Sequence, residues 1–204
     1  RTTDDCERWS ICRFLSTLNQ VGKIEFPINV QKQERPDFYV HSGDRELGIE
    51  HTEAIPSDYA KAMAIAEIEN PDAIIDMSLF KFGEKKSLDE IRDIIHASEL
   101  AGDGWAGNSA EVELAGAIKD VIFGKTKKLK KDEFGKFEKN ILLIYENMPR
   151  PHINDVILIK KCAKNLLGYW GHPITFDDVY IESGDRLILL NQQKTTTFKI
   201  VNLW

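Results

Sequence analysis

The chain has 204 residues, 42% of them hydrophobic and 29% charged, with a formal net charge of −6 at pH 7. That length fits one domain, 1–204, with material for a core that needs no disulfide or metal staple. The composition is that of a soluble globular protein, and no apolar run approaches membrane-spanning length. The acidic total argues against indiscriminate nucleic-acid binding but leaves room for a local basic surface. Cys6, Cys12 and Cys162 are odd in number and lack zinc-ligand spacing. With no signal peptide visible at the start, they point to reduced thiols and a cytoplasmic protein.

Residues 5 to 20 carry Ile11, Phe14, Leu15 and Leu18 at helical spacing. At about 100° per residue, Glu7 projects onto the leading end of that stripe. An acid there either compensates the helix dipole or points into a site below the core. Residues 22 to 34 are mixed and end in a polar loop before Pro36, with room for a short strand.

Two runs follow, Arg35-Pro36-Asp37-Phe38-Tyr39-Val40 and Leu47-Gly48-Ile49-Glu50-His51-Thr52, flanking Ser42-Gly43-Asp44-Arg45. Gly-Asp is a two-residue hairpin signal in which glycine supplies the positive φ. Counting outwards, Ser42 faces Arg45, Val40 faces Leu47, Phe38 faces Ile49 and Asp37 faces Glu50. The apolar pairs fall on one side of the ribbon and the two carboxylates on the other. Cross-strand neighbours have Cβ atoms only about 5 Å apart, so like charges there repel. A divalent cation offsets such repulsion, because carboxylate oxygens are the ligands that Mg²⁺ and Mn²⁺ prefer. The plainer alternative is an exposed hairpin whose acids solvate one face.

Beyond Glu53-Ala54-Ile55-Pro56 the chain enters a helical insertion. Residues 59 to 69 are alanine-rich and stop at Asn70-Pro71, and Ser87-Leu88-Asp89-Glu90 is a capping box opening a helix to about Leu100. The glycine-rich loop at 102–108 lacks the Lys-Ser/Thr ending of a phosphate cradle. Asn108 or Ser109 then caps a long helix reaching about Lys131, with Leu114, Ile118, Val121, Ile122 and Leu129 as its stripe. Lys125 sits about 20° from Leu114 by helical projection. An ammonium centred on a buried face must snorkel out or meet an anion. From Lys119 to Lys139, eight lysines face four acids, a net of +4 within an acidic protein. Such a run is a solvated helix face or a phosphate-facing surface.

Residues 140 to 145 form a continuous apolar run, the mark of a central strand covered on both faces. A helix over 153–167 and strands at 178–182, 187–191 and 197–201 follow, with Ser183-Gly184-Asp185 as a second hairpin turn.

This order, with Pro36-Asp37, Ile49-Glu50-His51-Thr52 and the helix–strand unit from Lys125 to Tyr145, resembles the PD-(D/E)XK nuclease superfamily. The resemblance covers roughly residues 5 to 165. It implies an α/β, restriction-endonuclease-like fold: a mixed central sheet flanked by helices, with core segments at about 5–55 and 106–167. Residues 56–105 would be a helical insertion after the acidic hairpin, and 176–204 a β-rich extension. It also implies that Asp37 and Glu50, with a backbone carbonyl near His51, bind Mg²⁺ or Mn²⁺. The family places a lysine two residues after the glutamate, and this chain has Thr52 there. Some members carry that lysine on the following helix, which points to Lys125, with Lys128 second. A glutamate on the first helix contributes in some members, a role that Glu7 matches.

The expected function is metal-dependent hydrolysis of phosphodiester bonds. The catalytic set is Asp37, Glu50, Lys125, Glu7 and Thr52, and Lys125, Lys127, Lys128 and Lys131 would contact nucleic acid. The His51 side chain is expected on the opposite, core-facing side by strand alternation, so it is not assigned as general base. Expected partners are nucleic acid, DNA foremost, with no membrane and with a homodimer allowed. The alternative is a catalytically inactive protein of the same fold, serving as a nucleic-acid- or protein-binding module.

Overall fold

The computed structural model describes residues 3–97, 102–131 and 133–201. Its contacts divide the chain into two compact units. One combines Arg1–Ala54, Ile118–Asn147 and Leu166–Trp204; the other combines Ile55–Ala117 and Met148–Asn165.

The first unit is built on a seven-stranded mixed sheet whose spatial order follows the chain. Its strands are β1 (Ile28–Lys32), β2 (Phe38–Ser42), β3 (Arg45–Glu53), β4 (Lys139–Glu146), β5 (Asp178–Ser183), β6 (Arg186–Asn191) and β7 (Thr195–Lys199). β4 runs parallel to both β3 and β5, and every other neighbouring pair is antiparallel. Six consecutive residues of β4, Ile141 to Glu146, are buried, as a strand covered on both faces requires. The class is α/β, with a mixed sheet flanked by helices.

Helix α1 (Thr3–Gln20) covers one face. Its Ile11, Phe14, Leu15 and Leu18 share a core with Phe38, Val40, Leu47, Ile49, Ile141, Leu143 and Tyr180. Each fully buried aliphatic or aromatic side chain of this kind stabilises by roughly 1.5–3 kcal/mol. Helix α4 (Ser109–Leu129) contributes its C-terminal half, from Ile118, to the same unit. Ile118, Ile122, Thr126 and Leu129 are buried at three- and four-residue spacing. Thr126 Oγ1 also lies 2.8 Å from the Tyr169 hydroxyl.

The second unit holds α2 (Ser57–Glu69), a 3₁₀ turn (Met77–Leu79), α3 (Leu88–Ile95) and α5 (Asp155–Asn165). Ala62, Ala66, Phe80, Ile91 and Ile95 form its core. The helices expected in the insertion are present, and Ser87 and Glu90 cap α3 reciprocally. That helix ends at Ile95, and Leu100 lies outside the described residues.

The 22–34 stretch contains the short strand for which it had room, β1, at the sheet edge. Some element boundaries differ from the expectation. Helix α5 starts at Asp155 because the Asn154 carboxamide accepts from the Val156 and Ile157 amides and fixes the N-terminus there. The last strand begins at Thr195 rather than 197. Asn191 Oδ1 accepts from the Gln193 and Lys194 amides and closes the preceding turn early.

Candidate active site

The hairpin has the register that its turn implies. Gly43 takes φ +60°, and Ser42 pairs with Arg45, Val40 with Leu47 and Phe38 with Ile49. Asp37 stands one residue before β2, and its Oδ2 accepts the His51 amide at 2.7 Å. The four apolar residues of the pairs are buried in the α1-side core. On the opposite face, the Phe137 ring lies over Gly48, where a Cβ would run into that ring and Pro36. Tyr39 packs against the same ring at 5.3 Å. Glycine at 48 therefore admits a flat aromatic cover, and the next residue on that face of β3 is Glu50.

Glu50 is 5% exposed. Lys125 reaches it from α4: Nζ donates to Glu50 Oε1 at 2.6 Å and to the His51 carbonyl at 3.0 Å. The half-buried lysine that helical projection marked as out of place has found an anion, as an ammonium on a core-facing stripe does when it does not reach water. Glu50 Oε2 is buried without a hydrogen-bond partner. Burial pushes the Asp37 carboxyl up to about 6, and the neighbouring Glu50 charge adds to the rise. The His51 amide and Lys125 pull it the other way.

Glu34, Arg35, Asp37, Glu50, Lys125, Lys128, Lys131 and Phe134 line one cleft of about 190 Å³. Among the described residues, Lys128 and Lys131 make no ion pair, whereas Arg35 pairs with Glu133 at the rim. Two acids that repel and a cluster of cations thus share a concave surface.

The remaining expected residues are placed as follows. Thr52 is half-buried, pairs with Ile144 and does not line the cleft. Glu7 belongs to α1, on the Ile49 face, and its carboxylate is held by Lys32 at 2.8 Å. Its charge acts on Asp37 and His51, yet it does not line the cleft. Lys127 is exposed and also lies off the cleft lining. The His51 side chain is buried, its Nε2 has no hydrogen-bond partner, and burial holds the imidazole down at about 4. It is therefore neutral at pH 7. The His51 backbone carbonyl lies at the site through its bond to Lys125.

Glu34, Arg35 and Phe134 line the cleft without having been expected there. Arg35 carried a signal, since it directly precedes Pro36-Asp37. Phe134 carried none, because only the return of the chain after α4 places it near Arg35, where the Gly135 amide donates to the Arg35 carbonyl at 3.2 Å. Among the described residues no group of three or more His, Cys, Asp or Glu side chains converges as a metal cage. Two carboxylates and one carbonyl remain, a hard-oxygen set suited to a cation that keeps several waters. No family model, curated protein or solved structure matches this chain.

Proposed function

We propose that this chain is a metal-dependent phosphodiesterase of the restriction-endonuclease-like kind, acting on nucleic acid, with DNA the first substrate to test. The observation that carries the reading is the Lys125 ammonium on Glu50 and the His51 carbonyl, beside a second carboxylate in a cleft lined by two lysines that make no ion pair among the described residues. The order of hairpin, helix and parallel strand supports the same fold family.

Asp37, Glu50 and the His51 carbonyl would hold Mg²⁺ or Mn²⁺. The orphaned Glu50 Oε2 and the mutual repulsion of the two acids both favour a cation there. When bound, such an ion polarises the phosphodiester and lowers the pKa of water. Lys125 supplies a positive charge where the phosphoryl oxygens gain negative charge. Lys128 and Lys131 attract the flanking phosphates, and the rim of the cleft sets which stretch of backbone enters. Neutral, buried His51 stays on the core side and exchanges no proton with substrate.

A second reading is favoured by the same geometry. With Thr52 in place of a lysine and Lys125 already neutralising Glu50, the cleft could serve as a phosphate-binding module without cleavage. Calorimetric Mn²⁺ titration of wild type and Asp37→Ala, followed by incubation with single- and double-stranded DNA and RNA, separates the two. Metal binding lost in Asp37→Ala together with cleavage supports the enzyme. Folded protein that binds nucleic acid, ignores Mn²⁺ and never cuts supports the module.

A further inference from the structure

Two of the oxygens that would receive the cation are ones that Lys125 now holds. Its Nζ lies 2.6 Å from Glu50 Oε1 and 3.0 Å from the His51 carbonyl. Mg²⁺ sits about 2.1 Å from its oxygen ligands. An ammonium and a divalent ion on the same two oxygens would lie within a few ångströms, where like charges repel strongly. One of them must leave. The stem of Lys125 is fixed by the buried Ile122, Thr126 and Leu129 beside it on α4, so only the flexible end of the side chain can swing. The space that it can reach is the cleft already lined by Arg35, Lys128 and Lys131. A fourth cation is unwelcome there unless an anion comes with it.

We infer that Lys125 is a counter-ion gate for the metal site: it occupies Glu50 and the His51 carbonyl until a phosphate in the cleft takes over the ammonium, so that metal and phosphate bind cooperatively. This rests on the metal-dependent reading above and adds to it an order of assembly. Without metal, Glu50 and the His51 carbonyl are held together by Lys125. Metal alone binds against the cost of displacing Lys125, and phosphate alone meets an ammonium already committed to Glu50. Together, each relieves the other. Coupling of this kind is reciprocal, so phosphate must tighten metal by the same factor that metal tightens phosphate.

The test is Mn²⁺ calorimetry on wild type, Lys125→Met, Lys125→Gln and Asp37→Asn, each with and without saturating thymidine 5′-monophosphate, after correction for Mn²⁺ binding to the nucleotide. Thymidine 5′-monophosphate offers a phosphate with no diester to cut. For wild type, the nucleotide should tighten Mn²⁺ about tenfold. Lys125→Met and Lys125→Gln should each bind Mn²⁺ alone about tenfold tighter than wild type and gain less than about twofold from the nucleotide. If Lys125→Met tightens Mn²⁺ and Lys125→Gln does not, packing rather than charge is responsible and the gate is overturned. If Asp37→Asn abolishes Mn²⁺ binding while both Lys125 variants match wild type, the gate is overturned and the metal-dependent reading survives. If none of the proteins binds Mn²⁺, both fall.

Discussion

Glu50 and Glu182 are both buried carboxylates on sheet strands, each paired with a basic residue from a helix, yet their surroundings differ. Glu182 is 0% exposed; Ser10 donates to its Oε2 at 2.7 Å and Arg13 NH1 lies 2.9 Å from its Oε1. Arg13 spends a second nitrogen on the Gly184 carbonyl at 2.9 Å, and its guanidinium lies 4.0 Å from the Trp9 ring centroid. A guanidinium with two nitrogens engaged and its face stacked on a ring is held in one geometry, although its Nε is buried without a hydrogen-bond partner. Glu50 has a lysine instead, an Oε2 with neither a hydrogen bond nor an ion pair among the described residues, an acid for a neighbour and a cleft in front of it. The pairing of acid and base is the same in both places. What distinguishes a brace from a site is whether the second oxygen is spoken for and whether the cation can move.

The contrast can be broken most directly by activity. Asp37→Asn and Glu50→Gln should lower cleavage by more than about a thousandfold while the fold survives, whereas Glu182→Gln should leave kcat intact wherever it remains folded. Nuclease assays paired with circular dichroism check this, and a Glu182 variant that folds but does not cut would erase the distinction. In stability the roles reverse. Glu182→Ala leaves Arg13 buried without its partner and should cost about 3–5 kcal/mol in urea unfolding. Lys125→Met keeps its apolar stem but leaves Glu50 without its cation, so it should lower the urea midpoint, by less than Glu182→Ala because Glu50 faces a cleft, while slowing cleavage roughly a hundredfold.

A smaller effect concerns pH. The Asp37 carboxyl is raised from 3.8 to about 6 in the folded chain, so the folded state holds its proton more tightly than the unfolded state does. Its contribution is fully present below about pH 4 and is lost as pH rises through about 6. Allowing for its partial solvent exposure, the loss is about 2 kcal/mol. Metal-free wild type should therefore lose stability over that window relative to Asp37→Asn, and saturating Mn²⁺ should close the gap at pH 7. Parallel urea curves from pH 4 to 8 check it. The smallest expected change is at Glu7. It lies on the α1 face and is engaged by Lys32, so Glu7→Gln should alter cleavage by less than about fivefold in a steady-state assay.

Local chemistry made the hairpin readable. A Gly-Asp turn sets a register, and period-two alternation then sorts Asp37 and Glu50 from Phe38, Val40, Leu47 and Ile49. Lys125 stood out for a similar reason, since a charge inside an apolar stripe breaks a period that extends over several turns. Glu7 resisted the same treatment. Its helical phase is correct, but phase alone does not say which sheet face α1 covers, and Lys32 was not visible as its partner. The Arg13–Glu182 pair was out of reach, because neither residue disturbs a local pattern and 169 positions separate their numbers. Phe134 and the cover of Phe137 over Gly48 depend on where the chain turns after α4, which no periodicity encodes.

Asp37 holds the His51 amide with a side-chain oxygen where a strand would ordinarily use a backbone carbonyl. A single proton resonance is thereby tied to the charge state of one carboxylate. The ¹⁵N–¹H signal of His51 should move with a midpoint near pH 6, shift again when a cation draws Asp37 away from the amide, and do neither in Asp37→Asn. Occupancy of the site would then be followed atom by atom in protein that has never met a substrate.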